Sequence, residues 1–150
     1  HIDRLVLCNT TPWLGPPATM DARIATIRRA GMAALVDGIL QRWFTAAAIM
    51  RQAVTVERIR QTLLQTPVDG YIGCCEALRD MDQRADLARI TAPTLVIAGT
   101  YDPAPTPEAA RAWGSTIPGA RFLELPAAHL SNIGAAGEFN QQVLTFLLGE

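Results

Sequence analysis

Two residues in this sequence, Asp102 and His129, are of the types that move protons, and each follows closely on a stretch that reads as a buried β-strand. Asp102 stands in Gly99-Thr100-Tyr101-Asp102-Pro103, and His129 in Pro126-Ala127-Ala128-His129-Leu130-Ser131-Asn132. An imidazole within reach of a carboxylate is held in one tautomer and is stabilised as it gains charge, which a general base requires. Taken singly, an Asp before Pro is a common turn residue, and a loop His is more often a surface residue. Placed together beyond the carboxyl ends of neighbouring strands, where open parallel sheets bind ligands, they form a candidate acid–base pair.

A base needs a nucleophile to activate. The serines are Ser115, inside a helical stretch, and Ser131, just after His129. Neither lies in Gly-x-Ser-x-Gly, the strained strand-to-helix turn that exposes a nucleophilic hydroxyl. Ser131 is the competing assignment because it is so near His129, but no strand-to-helix elbow carries it. Cys74 and Cys75, in Tyr71-Ile72-Gly73-Cys74-Cys75-Glu76, have helical spacing with Tyr71 and Leu78 and read as packing residues. The nucleophile is therefore expected upstream of residue 1 or in a second chain. The three cysteines make no disulfide framework, and with His1 and His129 they make no zinc spacing. No metal or cofactor is implied.

The elements that must hold the pair are readable from the apolar pattern. Residues 4–8, Thr94–Gly99 and Arg121–Leu125 read as strands, the second most clearly, between Pro93 and Gly99. Behind the loop at 100–106, Thr106 is placed as an N-cap, with Pro107 at the first helical position and Glu108 in the first turn. That helix leads through Pro118-Gly119 into the third strand, a βαβ unit with parallel strands. Residues 135–148 place Phe139, Val143, Phe146 and Leu147 on one face of a closing helix. The short run at 5–8 has the pattern of a strand covered on both sides, so further sequence is expected before it.

Between the first two strands lie about 85 residues, where a crossover needs only about a dozen. They carry helical periodicity in Met20, Ile24 and Ile27, then Met32 to Trp43, then Val56, Ile59 and Leu63, with a further helix at 70–78. The expectation is an α/β domain with a helical cap over 18–88, inserted in one crossover and lying across the strand ends.

Composition bounds the partners. The chain has 150 residues, 49% hydrophobic and 18% charged, with a net charge of −1. Its basic residues are all arginines and form no cluster, which speaks against a nucleic-acid partner. No apolar run nears the ~18 residues that suggest a membrane span. The expectation is a cytoplasmic protein with no membrane partner.

The order acid then histidine, with a nucleophile still to come before them, resembles the C-terminal part of an α/β-hydrolase fold. Within that superfamily the sequence resembles the 3-oxoadipate enol-lactonase family. The resemblance is carried by Leu5-Val6-Leu7-Cys8-Asn9-Thr10, Arg42-Trp43-Phe44-Thr45, Gly70-Tyr71-Ile72-Gly73-Cys74-Cys75-Glu76-Ala77-Leu78-Arg79-Asp80, Pro93-Thr94-Leu95-Val96-Ile97-Ala98-Gly99 and Ala128-His129-Leu130-Ser131-Asn132. It implies hydrolysis of a small carboxylated enol-lactone to 3-oxoadipate in the β-ketoadipate pathway of aromatic-compound catabolism, through a Ser-His-Asp acyl-enzyme. Asp102 would be the triad acid, His129 the base, and Trp43 a cap residue over the substrate pocket. Arg42 is one of several arginines that could clamp the substrate carboxylate, against a plain solvated helix face. An esterase, a haloperoxidase-like enzyme or a carbon–carbon bond hydrolase would place the same Asp and His identically. A non-catalytic truncated interaction module is the alternative from outside enzymology.

Overall fold

The computed structural model describes residues 2–149. Strand β1 (Leu5–Cys8) is followed by α1 (Ala18–Ala30), α2 (Ala33–Trp43), α3 (Ala46–Arg51), α4 (Ala53–Leu64) and α5 (Val68–Asp80). A 3₁₀ turn (Arg84–Arg89) leads into β2 (Thr94–Gly99), α6 (Pro107–Gly114), β3 (Arg121–Leu125), α7 (Ser131–Gly134) and α8 (Ala136–Leu148). The chain divides into a sheet unit, residues 2–12, 42–45 and 83–149, and a helical unit, residues 13–41 and 46–82.

In the sheet unit the strand order is β1-β2-β3 and both pairings are parallel. Leu5 stands opposite Thr94 and Cys8 opposite Ile97, while Leu95 faces Arg121 and Gly99 faces Leu125. Every residue of β2 is buried, because successive side chains point to opposite faces and both faces are covered. Leu95 and Ile97 join Leu125 and Phe146 in one layer, against Phe139 and Val143 of α8. Val96 and Ala98 join Ala110 of α6 in the other, with Trp113 and Phe122 beside them. Among the described residues β1 has β2 as its one neighbour and is half-buried along its length.

Local chemistry sets the helices. Thr106 caps α6 by accepting from the Ala109 N–H at 3.3 Å, with Pro107 in the first turn. In α8 the stripe on the sheet is Phe146, buried, with Phe139 and Val143 partly buried beside it; Leu147, expected on that face, is exposed. One residue is a 100° rotation, enough to carry Leu147 past the sheet.

In the helical unit α1 packs on α5, with Met20, Ile24, Ile27, Ile72 and Cys75 in one core cluster; Met32, between α1 and α2, joins it, and Leu35 and Tyr71 are partly buried beside it. The adjacent cysteines separate for the same rotational reason: Cys75 is buried and Cys74 exposed, so only Cys75 is a packing residue. Residues 46–48 begin the short helix α3. Trp13 and Asp82 pair in an antiparallel bridge between the two ends of this unit.

Candidate active site

The loops that leave β2 and β3 are laced to each other by backbone bonds. Thr100 donates to the Leu125 carbonyl through both its N–H, at 2.9 Å, and its Oγ1, at 3.0 Å. The Tyr101 N–H donates to the Ala127 carbonyl at 2.9 Å, and the Asp102 N–H turns back to the Gly99 carbonyl at 3.0 Å. The approach is close enough to demand glycine at 99. A Cβ there would stand 2.3 Å from the Ala128 oxygen and 2.5 Å from the Ala127 oxygen, both backbone atoms.

That lacing brings the two sequence-picked residues together. His129 Nδ1 lies 2.8 Å from Asp102 Oδ2. The Asp102 side chain has no exposed surface, and that of His129 keeps 23% of its own. Oδ2 also accepts from Asn9 Nδ2 at 3.1 Å, and Oδ1 accepts from the Ala104 N–H at 3.0 Å. Burial pushes the Asp102 carboxyl upward, but the bonds from His129, Ala104 and Asn9 together outweigh it and hold the group below the ordinary 3.8. An ionised Asp102 fixes the proton of the neutral imidazole on Nδ1, which leaves Nε2 as the acceptor a general base needs.

Sequence reading missed Asn9 as part of this site. It follows the last residue of β1, at the same sheet edge as the other two, and takes a left-handed backbone with φ 47° that Asn tolerates better than most residues. Its Nδ2 also reaches the Ala128 carbonyl at 3.4 Å. Its Oδ1 accepts from the Ser131 hydroxyl and, at 2.9 Å, from the Cys8 thiol. Burial raises the Cys8 thiol and the Asp102 charge adds to it, against a contact with Ser131, so sulfur stays protonated and donates. The signal available in sequence was a polar residue immediately after a buried strand, at the edge where Asp102 and His129 were already placed.

Ser131, the competing nucleophile, is fully buried with its hydroxyl spent on Asn9. Ser115 ends α6 and donates to the Ala112 carbonyl at 2.7 Å. Trp43 is half-buried, and its ring stacks near the His129 ring, centroids 6.2 Å apart and planes 22° from parallel. The Trp43 carbonyl accepts from the Leu130 N–H at 3.1 Å, which ties it to the histidine loop. Its indole Nε1 is buried without a hydrogen-bond partner among the described residues. Arg42 beside it is half-buried.

Among the described residues no group of His, Cys, Asp and Glu is placed to hold a metal ion, and no helix is long and apolar enough to cross a membrane. What the arrangement offers is a proton acceptor with a fixed tautomer beside an aromatic wall.

Comparison with known proteins gives this geometry a family. Residues 1–136 match the family model of the alpha/beta hydrolase fold. The chain is 33% identical to 3-oxoadipate enol-lactonase 2 of Acinetobacter baylyi over 143 residues, 95% of this chain and 54% of that protein. It is similar to the crystal structure of the enol-lactonase from Burkholderia xenovorans, with 41% identity and a TM-score of 0.94 over 98% of this chain and 56% of that one. A hydrolase from Pseudomonas aeruginosa is 45% identical, with a TM-score of 0.92 over 99% of this chain and 56% of that one. The chain thus spans about half the length of the relatives it matches. It belongs to the alpha/beta hydrolase fold family.

Proposed function

We propose that this chain supplies the acid and the base of a serine hydrolase that opens 3-oxoadipate enol-lactone to 3-oxoadipate. The nucleophilic serine comes from a segment preceding residue 1, or from a second chain. The observation that carries the reading is the 2.8 Å contact of His129 Nδ1 with a buried Asp102, in a chain related to enol-lactonases. Ser131 is buried and bonded to Asn9, and Ser115 stands at the end of α6, which supports an outside nucleophile.

In this reading the serine hydroxyl attacks the lactone carbonyl while its proton passes to His129 Nε2. Asp102 stabilises the imidazolium that forms. The bond from the carbonyl carbon to the ring oxygen then breaks, and the oxygen leaves as an enolate, a better leaving group than an alkoxide. The proton on His129 returns to the leaving group, which settles as the ketone. Water, losing its proton to His129, releases the acid from the serine. No metal and no cofactor enters. Trp43, against the base, forms a wall for the substrate. The reading carries with it a cytoplasmic enzyme of aromatic-compound catabolism acting on a small molecule, and a 150-residue chain that is inactive by itself.

The test is the rate of ring opening of 3-oxoadipate enol-lactone by the complete protein and by its His129→Ala variant. Loss of turnover in a folded His129→Ala supports the reading, and retained turnover ends it. Trp43→Ala in the same protein is expected to raise KM and leave the fold nearly as stable. A stability loss of about 3 kcal/mol, typical of a truncated core aromatic, with unchanged kinetics would instead make Trp43 a core residue.

A further inference from the structure

We infer that Asn9 is a positioning residue: its side-chain amide, held by Ser131, fixes the Asp102 carboxylate against His129 and joins it to the backbone of the histidine loop. The inference rests on the reading of Asp102 and His129 as acid and base.

The Asp102 side chain has no exposed surface, so bulk water does not orient it and its hydrogen bonds must. Of its side-chain donors, the Ala104 N–H is two residues away in the same loop and moves with it. His129 is the group to be oriented. Asn9 alone of these directly follows β1, and its backbone N–H is fixed to the Ile97 carbonyl of β2 at 2.9 Å. It therefore refers the carboxylate to the sheet.

The amide has one orientation that its neighbours accept. Nδ2 faces two acceptors, Asp102 Oδ2 at 3.1 Å and the Ala128 carbonyl at 3.4 Å. Oδ1 faces two donors, the Ser131 hydroxyl and the Cys8 thiol. A flipped amide would set its oxygen against a carboxylate oxygen and a carbonyl, neither of which can donate. Ala128 and Ser131 flank His129 in sequence, so one side chain touches the acid and both shoulders of the base. A hydrogen bond to a buried charge is among the stronger ones, and losing it leaves the carboxylate held only by its own loop and by the imidazole it must orient.

The experiment uses the complete protein, nucleophile included. Asn9→Gly deletes the amide and keeps the left-handed backbone without strain. It is expected to lower kcat by about tenfold to a hundredfold, the loss of one bond to a charged group, with KM unchanged. The low-field proton resonance of His129 Nδ1–H should broaden or move upfield in the same variant. Ser131→Ala, which leaves the far end of the amide held by the Cys8 thiol alone, should lower kcat in the same direction by less. An unchanged kcat and an unchanged resonance in folded Asn9→Gly, with His129→Ala inactive, overturn the inference and leave the acid–base reading standing. A change in KM alone overturns it as well. Should Asn9→Gly not fold, Ser131→Ala decides, and an unchanged kcat there overturns it. Retained turnover in His129→Ala overturns the acid–base reading itself, and the role of Asn9 with it.

Discussion

The two units of this chain both bury apolar cores and differ in the polar side chains they bury. In the sheet unit Asn9, Thr94, Asp102 and Ser131 are buried, and three of these four share one chain of hydrogen bonds with His129. In the helical unit the buried residues are apolar, and charged groups pair at the surface. Arg79 meets Asp80 at 2.8 Å and Asp21 at 3.2 Å, Arg60 meets Asp37 and Glu57, and Arg28 meets Glu76 at 3.6 Å. A buried polar group carries a desolvation penalty that its bonds must offset. A surface ion pair carries little penalty and returns little stability. The fold accepts that penalty at the loop edge of the sheet unit, where the proposed acid and base stand.

The largest effect that sharpens this contrast is on turnover. Asp102→Asn in the complete protein keeps the shape of the side chain and favours the wrong imidazole tautomer. It is expected to lower kcat by about 10⁴-fold, with little change in substrate binding. No ion-pair residue of the helical unit should approach that effect in the same steady-state assay.

Next in size is a test of the two apolar cores. Ile97 in β2 and Ile27 in α1 are each 1% exposed. Truncating either to Ala should cost about 2–5 kcal/mol, measured by denaturant unfolding of the complete protein. A small loss at Ile27 beside a large one at Ile97 would mean that the helical unit opens separately, and the comparison would break there.

These assignments also show what a sequence exposes and what it conceals. Strand β2 is readable because both its faces are covered, so it is apolar throughout, and Pro93 and Gly99 mark its ends. The start of α6 is readable because Thr106, Pro107 and Glu108 act within one turn. Asp102 and His129 are readable as a pair because strand order puts both at one sheet edge. Asn9 was concealed, since its partners Asp102 and Ser131 lie 93 and 122 positions away and only the closed sheet brings them near. Helix α7, four residues long, is too short to show a period. Leu147 and Cys74 fail for one shared reason: a neighbour on a helix looks equivalent in composition and is rotated off the buried face.

Acid gives a smaller effect with a definite sign. The folded Asp102 lies below its ordinary 3.8, so the unfolded chain takes up the proton first as pH falls. Its contribution to stability is present above that ordinary value and is lost as pH falls through the folded one. Melting temperatures measured from pH 6 downward should therefore fall more steeply in the native protein than in Asp102→Asn over that window. Parallel curves would mean that the buried carboxylate is no better placed than a surface one.

The smallest effect belongs to the surface pairs. The Asp80 carboxyl is held low by its bond to Arg79, but the pair is open to solvent and screened by salt. Arg79→Ala should leave the melting temperature unchanged within error in physiological salt. A clear drop would give the helical unit a polar anchor of its own.

The central claim is that His129, set by Asp102, activates a serine that lies outside these 150 residues. A fluorophosphonate probe, followed by peptide mapping of the labelled protein, tests it most directly. The account predicts one labelled serine in a Gly-x-Ser-x-Gly segment preceding residue 1, or in a second chain, with labelling abolished in His129→Ala. Labelling at Ser131 or Ser115, or labelling that persists in His129→Ala, would contradict it.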